Sequence, residues 1–433
     1  MTVAPHSTEG SALERRDLAI GFVPLTDCAP LVIAEAKGFF AAEGLNVRLS
    51  RQASWANIRD KVLVGSLDAA QMLAPMPLAS TLRTGPLDRD LMTAFVFGLN
   101  GNAVTVSNAL YEEMQALDPA SLASRPTTGR ALKALIEARA RAGSKLTFAV
   151  VYPQSAHAYE LRYWMAAAGI DPDQDVRIAI VPPPQMAAYL LSGEIDGYCV
   201  GEPWNSLAVH LGIGRTLLTS LDIWANRAEK VLGVTRSWAE QHPGTHRALV
   251  RAMLRAAFWL DAAEHREEAA QLITRPGFLD VSPAVAACSL QGRYRPALGA
   301  DPWLLPDFHV FHARAANFPW RSQAIWFLTQ MMRWGHVAGD IDMDDVATRV
   351  FRTDLYAAAA ADLGIACPTI DRKSEGGHAE SWTLLQATQP IVMGRDGFLD
   401  QARFEPAAAA AYVDSFAIRR QRSAPQPATH ARL

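Results

Sequence analysis

The feature that most constrains this chain is an alternation of strand-like and helix-like segments, in units of roughly 30 residues, that starts near Asp17 and restarts near residue 145. Residues 18–25 (LAIGFVPL) read as a buried strand, 29–44 (APLVIAEAKGFFAAEG) as a helix stopped by Gly44, and 45–52 (LNVRLSRQ) as an alternating strand. ANIRDKVLVGS is helical, LDAAQML runs into a short strand, and MTAFVFGLN and AVTVSN are strands around Gly98 and Gly101. The second run has strand KLTFAVVY, helix HAYELRYWMAAAGI, strand DVRIAIVPP, helix PQMAAYLLSGEI and strand DGYCVGEPW running into a loop. Beyond it, THRALVRAMLRAAFWLDAAEHREEAAQLI and SQAIWFLTQMMRWG carry apolar residues at helical spacing, so the C-terminal portion is expected to be mostly helical. This pattern predicts an α/β fold of two doubly wound lobes with a ligand cleft between them.

Composition removes several function classes. Half of the 433 residues are hydrophobic and a fifth are charged, which excludes a disordered chain. Lys plus Arg is 41 against 44 Asp plus Glu, a net charge of −3, so bulk charge gives no case for direct nucleic-acid binding. Cys28, Cys199, Cys288 and Cys367 are scattered without a C-x-x-C pair, indicating neither a disulfide framework nor a zinc site. The first residues lack the basic start and apolar run of a secretory signal, and no stretch approaches a membrane span. The expectation is a cytoplasmic protein that does not engage the membrane.

No phosphate loop, dinucleotide fingerprint, G-x-S-x-G elbow or H-E-x-x-H motif occurs. His242 and His246 are separated by Pro243 and Gly244, which spoil a shared helical face, and His309 and His312 read as loop or helix-surface residues. No enzyme class emerges, and neither a cofactor nor a metal site is expected. Two local features stand out. Pro182, Pro183 and Pro184 form a rigid, hinge-like run after a strand. Trp55 sits where a strand hands over to a helix, and strand C-terminal ends face the cleft in this architecture.

QASWANIRDKVLVGSLDAAQMLAPMP, NGNAVTVSN, LRYWMAAAGIDPDQDV, VPPPQM and DGYCVGEPWN, in that order and spacing, closely resemble the nitrate- and bicarbonate-binding proteins of ABC importers. NFPWRSQAIWFLTQMMRWG is similar to their C-terminal signature, and the resemblance spans about residues 17–355. It implies the type II periplasmic-binding-protein fold and a non-catalytic role, two lobes closing on an anion. It also implies ligand residues: a tryptophan in SWA-x-x-RD, a polar side chain in G-[QN]-A, a histidine starting the RYW helix and a lysine after GEPWN. These fall on Trp55, Asn102, His157 and Lys230, with Asn102 the shorter of the two side chains that the G-[QN]-A segment allows. Glu202, Pro203 and Trp204 are expected to shape the cleft rather than touch the anion.

The chemistry of that set is coherent. A desolvated planar monoanion needs a nearby cation and several donors. Lys230 would supply charge, His157 and Asn102 directional hydrogen bonds, the helix start at His157 a favourable dipole, and the Trp55 indole a flat wall. Taken singly, Lys230 reads as a surface lysine, His157 as a solvated helix-start residue and Asn102 as a turn residue. As an exposed cleft lysine, Lys230 is expected to be removable without loss of the fold. In bicarbonate-binding relatives an acidic side chain replaces this lysine and helps hold calcium, so the resemblance points here to nitrate or nitrite without metal.

Two departures refine the expectation. The chain shows neither a secretion signal nor a lipid-anchoring cysteine, Cys28 lying within the first α/β unit, and VGSLDAAQML is shorter than the importer proteins' glycine-rich loop. Both resemble the cytoplasmic nitrate/nitrite sensor of bacterial nitrate-assimilation operons. Such a sensor sequesters an RNA-binding antiterminator with an ANTAR domain and releases it when the anion binds. The alternative is the solute-binding component of a nitrate ABC importer. Sulfonate- and pyrimidine-binding proteins match the motifs less well, and a thiamine-pyrimidine synthesis enzyme would need a histidine and cysteine cluster that is not seen. The expected organisation is a flexible tail over 1–16, lobe 1 over 17–105, lobe 2 over 106–231, a mostly helical return to lobe 1 over 232–415 and a solvated tail over 416–433.

Overall fold

The computed structural model describes residues 13–83 and 89–420. Strands β1 (Asp17–Phe22), β2 (Asn46–Arg51), β3 (Ala69–Leu73) and β4 (Leu91–Asn100) build the first lobe. The chain then crosses into β5 (Asn102–Ser107), β6 (Thr147–Val150), β7 (Arg177–Ile180), β8 (Gly197–Gly201) and β9 (Gly214–Thr219) of the second. It returns through β10 (Ala228–Thr235), followed by the short strands β11 (Arg293–Tyr294), β12 (Trp303–Leu304) and β13 (His309–Val310). The two main sheets run β13-β4-β10-β3-β1-β2 and β7-β6-β8-β5-β9.

Pairing explains where the lobes exchange strands. β1 with β2 and β3, and β6 with β7 and β8, are parallel, as βαβ units require. β10 is antiparallel to β3 and β4, and β5 is antiparallel to β8 and β9. Each sheet is therefore mixed, and its antiparallel insert is a strand that adjoins a crossing. Every residue of β4 and β10 is buried, as expected for central strands covered on both faces. The second lobe begins at residue 102 rather than 106, and the return to the first begins at 228 rather than 232.

The two crossings are tied to each other. Asn100 (φ +65°), Gly101 (φ +93°) and Asn226 (φ +59°) all take the left-handed conformation, which Gly tolerates and Asn adopts more readily than other side chains. The Asn226 backbone N–H donates to Asn100 Oδ1 at 2.8 Å, and Asn100 Nδ2 donates to the Asp307 carbonyl at 2.9 Å. A Cβ on Gly101 would lie 2.6 Å from the His309 ring. The proline run 182–184 is not this hinge: it leads from edge strand β7 through a short 3-10 turn into helix Met186–Ser192.

The C-terminal portion is helical only as far as helix Thr353–Asp362. Irregular chain with a small hairpin, β14 (Trp382–Leu384) and β15 (Ile391–Met393), follows, then helix Ala409–Asp414. This segment is a strap across both lobes. Phe398 stacks on Trp224 (centroids 4.8 Å, 22°), and the Tyr163 hydroxyl donates to Asp400 at 2.9 Å. The expected solvated tail is corrected at its start: Phe416 packs edge-on against Tyr163, and Arg420 pairs with Asp171 at 2.9 Å. At the other end Glu14 accepts from the backbone of Gly244 and Thr245 and Arg15 pairs with Asp68, so residues 13–16 are anchored. The rest of both expected tails lies outside the described residues.

Candidate oxyanion-binding site

Three helices begin where the two lobes meet. After β1 the chain turns through Thr26–Cys28 into helix Ala29–Ala36, and after β2 Ser54 caps helix Trp55–Leu63 by accepting from the Asn57 N–H at 3.3 Å. After β6 Ser155 caps helix Ala156–Ala167 by accepting from the Ala158 N–H at 3.0 Å. Each start follows the C-terminal end of a parallel strand, so partial positive charge and backbone N–H groups converge on one point.

Trp55, Asn102, His157 and Lys230 meet at that point. All four are buried, so Lys230 is not a surface lysine and His157 is not solvated. Lys230 Nζ is 5.4 Å from the Trp55 ring centroid. Its hydrogen bonds go to two carboxylates, Asp27 Oδ2 at 2.8 Å and Glu229 Oε1 at 2.5 Å. Burial opposes the charge on Lys230, but these partners hold its pKa above the ordinary value. The premise of an exposed cleft lysine is corrected: Lys230 is fully buried and pairs with Asp27.

The strand that carries Lys230 was not foreseen, and its irregularity makes the site. Neighbouring residues in a regular strand point to opposite faces. The β10–β4 ladder shifts register on both sides of Lys230, and Glu229 and Lys230 consequently meet each other.

Glu229 lies at the centre of a buried polar cluster that sequence reasoning missed. Its Oε2 accepts from Asn102 Nδ2 at 2.9 Å and pairs with Arg227, while His157 Nε2 lies 3.3 Å from Oε1. Arg227 also donates through Nε to Glu160 Oε1 at 2.5 Å, and Asn102 Nδ2 reaches Glu160 Oε2 at 2.8 Å. Asp27 accepts from Gln71 Nε2 at 2.5 Å. The cluster thus contains three carboxylates and two cations, all buried. Burial raises the pKa of Asp27 and Glu160, against Lys230 and Arg227 respectively. Burial also pushes on Glu229, but Arg227, Lys230 and His157 together hold it below the ordinary range. Burial lowers His157 to about 3, against the opposing pull of Glu229, so its imidazole is neutral at pH 7. The signal for this cluster was NRAEK, alternating charge entering an apolar strand.

Several buried polar atoms here have no hydrogen-bond partner: Trp55 Nε1, Thr26 Oγ1, Asn102 Oδ1 and both His157 ring nitrogens. Such atoms are costly unless something fills them, and hydroxyl, indole and imidazole N–H groups are donors suited to an oxyanion. Gly201 backs the space: a Cβ there would stand 3.4 Å from Asn102 Oδ1 and 3.6 Å from His157 Nε2. Trp204 and Glu202 link the lobes beside it. The Trp204 indole donates to the Pro24 carbonyl at 3.0 Å and the Thr26 N–H to the Glu202 carbonyl at 2.7 Å, both bonds joining one lobe to the other.

The other histidines are structural. Pro243 does not spoil a helix but starts helix Pro243–Asp261, where its missing N–H costs nothing, and His246 is buried against Trp238. His312 bonds Asn317, and His309 packs beneath Gly101. Among the described residues no cluster of three metal-ligating side chains occurs, and no helix is long and apolar enough to cross a membrane.

Comparison with known proteins places this architecture. The NMT1-like family matches residues 11–274. The nitrate/nitrite binding protein NrtA of Nostoc sp. PCC 7120 is 32% identical over 416 residues, covering 94% of this chain and 87% of that protein. The chain belongs to the family of nitrate- and bicarbonate-binding proteins. The nitrate import ATP-binding protein NrtC of Synechocystis sp. PCC 6803 is 40% identical over 360 residues; the chain spans about half of it, 51%. The crystal structure of the periplasmic nitrate-binding protein NrtA from Synechocystis PCC 6803 superposes with a TM-score of 0.82 at 28% identity, covering 94% of this chain and 100% of that one. The fold is therefore the periplasmic-binding-protein fold, and the binding proteins among these relatives are named for binding a solute.

Proposed function

We propose that the protein binds nitrate or nitrite between its lobes and acts as a cytoplasmic sensor controlling an ANTAR-domain antiterminator. The observation that carries anion binding is the group of buried, unpartnered donors beside Lys230, where three helix starts converge. Trp55, Asn102, His157 and Lys230 are the proposed ligand residues, and the lysine at 230, where bicarbonate-binding relatives carry the acidic side chain that helps hold calcium, favours binding without metal. The relatives named for nitrate support the choice of ligand.

Switching follows from the two-lobe design. The anion reaches contacts in both lobes only when they close, so it shifts the population toward the closed form. If the antiterminator prefers the open form, it is released as the anion binds, and linkage requires it to weaken anion affinity by the same factor. The protein itself then has no need to touch RNA. The test is co-purification of the antiterminator with this protein, challenged with nitrate, nitrite or chloride. Release by nitrate or nitrite alone supports the sensor; retention under all three sinks it.

A second reading is favoured by the likeness to a periplasmic nitrate-binding protein along its whole length. In that reading the chain is the solute-binding component of a nitrate importer. It predicts nitrate binding with no antiterminator partner, and stimulation of a reconstituted importer's ATPase.

A further inference from the structure

We propose that Glu229 is the affinity-setting residue of this site: its carboxylate sits as a tethered anion on the donors that an oxyanion needs, and the oxyanion binds by displacing it. This rests on the oxyanion reading of the site and deepens it.

Three of the four proposed ligand residues already face this one carboxylate. Oε1 takes Lys230 Nζ at 2.5 Å and lies 3.3 Å from His157 Nε2, and Oε2 takes Asn102 Nδ2 at 2.9 Å. A carboxylate and a nitrate are both planar groups of oxygens on a trigonal centre, so donors arranged for one suit the other. Glu229 keeps a partner when it is displaced, because Arg227 pairs with its Oε2 while also holding Glu160. Trp55 Nε1 and Thr26 Oγ1, which Glu229 does not reach, remain for the ligand.

Charge adds a second consequence. Glu229 faces Lys230 on its own strand, Arg227 just before that strand, His157 and Glu160 on helix Ala156–Ala167, and Asn102 on β5. Asp27 bonds the same lysine, Cys199 Sγ on β8 is 4.0 Å from Glu160, and His309 on β13 lies within electrostatic reach of Glu229 and Lys230. With three carboxylates against two cations, a second anion would leave the buried cluster doubly unbalanced. Displaced from Lys230 and Asn102, Glu229 loses donors that keep it ionised. The anion therefore arrives with a proton taken from solvent onto the Asp27, Glu160 and Glu229 group.

The test is calorimetric titration of nitrate and nitrite into the wild-type protein and Glu229→Gln, each in PIPES and in Tris from pH 6 to 8. The wild type is expected to take up close to one proton per anion and to bind up to about tenfold more weakly per unit rise in pH. Glu229→Gln keeps the shape, leaves Arg227 with Glu160 and Lys230 with Asp27, and is expected to bind at least about tenfold tighter with little proton uptake. Equal or weaker binding by a folded Glu229→Gln overturns the proposal. So does anion binding by the wild type without proton uptake, a result that needs no variant and leaves the oxyanion reading standing. Binding by neither protein overturns the oxyanion reading and this proposal together.

Discussion

Lys230→Ala removes the only cation bonded to Asp27 among the described residues. In the native protein that carboxylate is buried and bonded to Lys230 and Gln71. Glu229 keeps Arg227 in the variant, so the stranded charge is Asp27. Breaking a buried ion pair by removing one partner costs about 3–5 kcal/mol. A second route gives the same size. Asp27 can escape by taking a proton, and holding a proton at pH 7 on a group whose unfolded pKa is about 3.9 costs roughly 4 kcal/mol. The sign in pH follows. A carboxylate whose folded pKa is raised binds a proton in the folded state that the unfolded chain releases, so stability is greatest below about pH 4 and falls as pH rises. Urea unfolding followed by tryptophan fluorescence at pH 5 and pH 8 reads the difference. The gap to wild type should be about 3–5 kcal/mol at pH 8 and less than half that at pH 5, and Asp27→Asn in the same chain should close most of it. A gap near zero, or one that ignores pH, refutes the ion-pair account of Lys230.

Other outcomes follow from the same structure. Burial holds His157 near 3 and His246 near 4, so imidazole NMR should show both neutral at pH 5, where a solvated histidine is protonated; protonated signals at that pH contradict their burial. Phe398→Ala opens the aromatic stack on Trp224 and Trp326 and should cost about 3–5 kcal/mol in urea unfolding, against near zero for a loop phenylalanine. Gly101→Ala combines φ +93° with a Cβ 2.6 Å from the His309 ring and should destabilise by about 1–3 kcal/mol, unfolding earlier in urea; an unchanged midpoint shows that the crossing is not under this constraint.

The fold was legible where the apolar period was strong. β1, β4, β6 and β8 and the helices that begin at Trp55 and Ala156 lie where alternation and apolar runs put them. β10 was not legible. Glu229 and Lys230 interrupt its apolar run, and only a register shift in a fully buried strand lets two adjacent charges share one cluster. The same residues explain what was missed in the site. Trp55, Asn102, His157 and Lys230 came from the resemblance, whereas Asp27, Glu160 and Arg227 lie outside the motifs that carry it. Their meeting is tertiary: Arg227 and Glu160 lie 67 residues apart, one just before β10 and the other on helix Ala156–Ala167, and no local spacing pairs them. The strap after residue 362 was invisible for a different reason, since irregular chain held by Phe398, Asp400 and Arg420 has no period to detect.

The central claim is that this interlobe cluster holds a small oxyanion without metal. Calorimetric titration of the wild-type protein with nitrate, nitrite and bicarbonate, with and without calcium, tests it most directly. The account predicts one site per chain for nitrate or nitrite, indifferent to calcium. Bicarbonate binding that requires calcium, or no heat with any of the three, contradicts it.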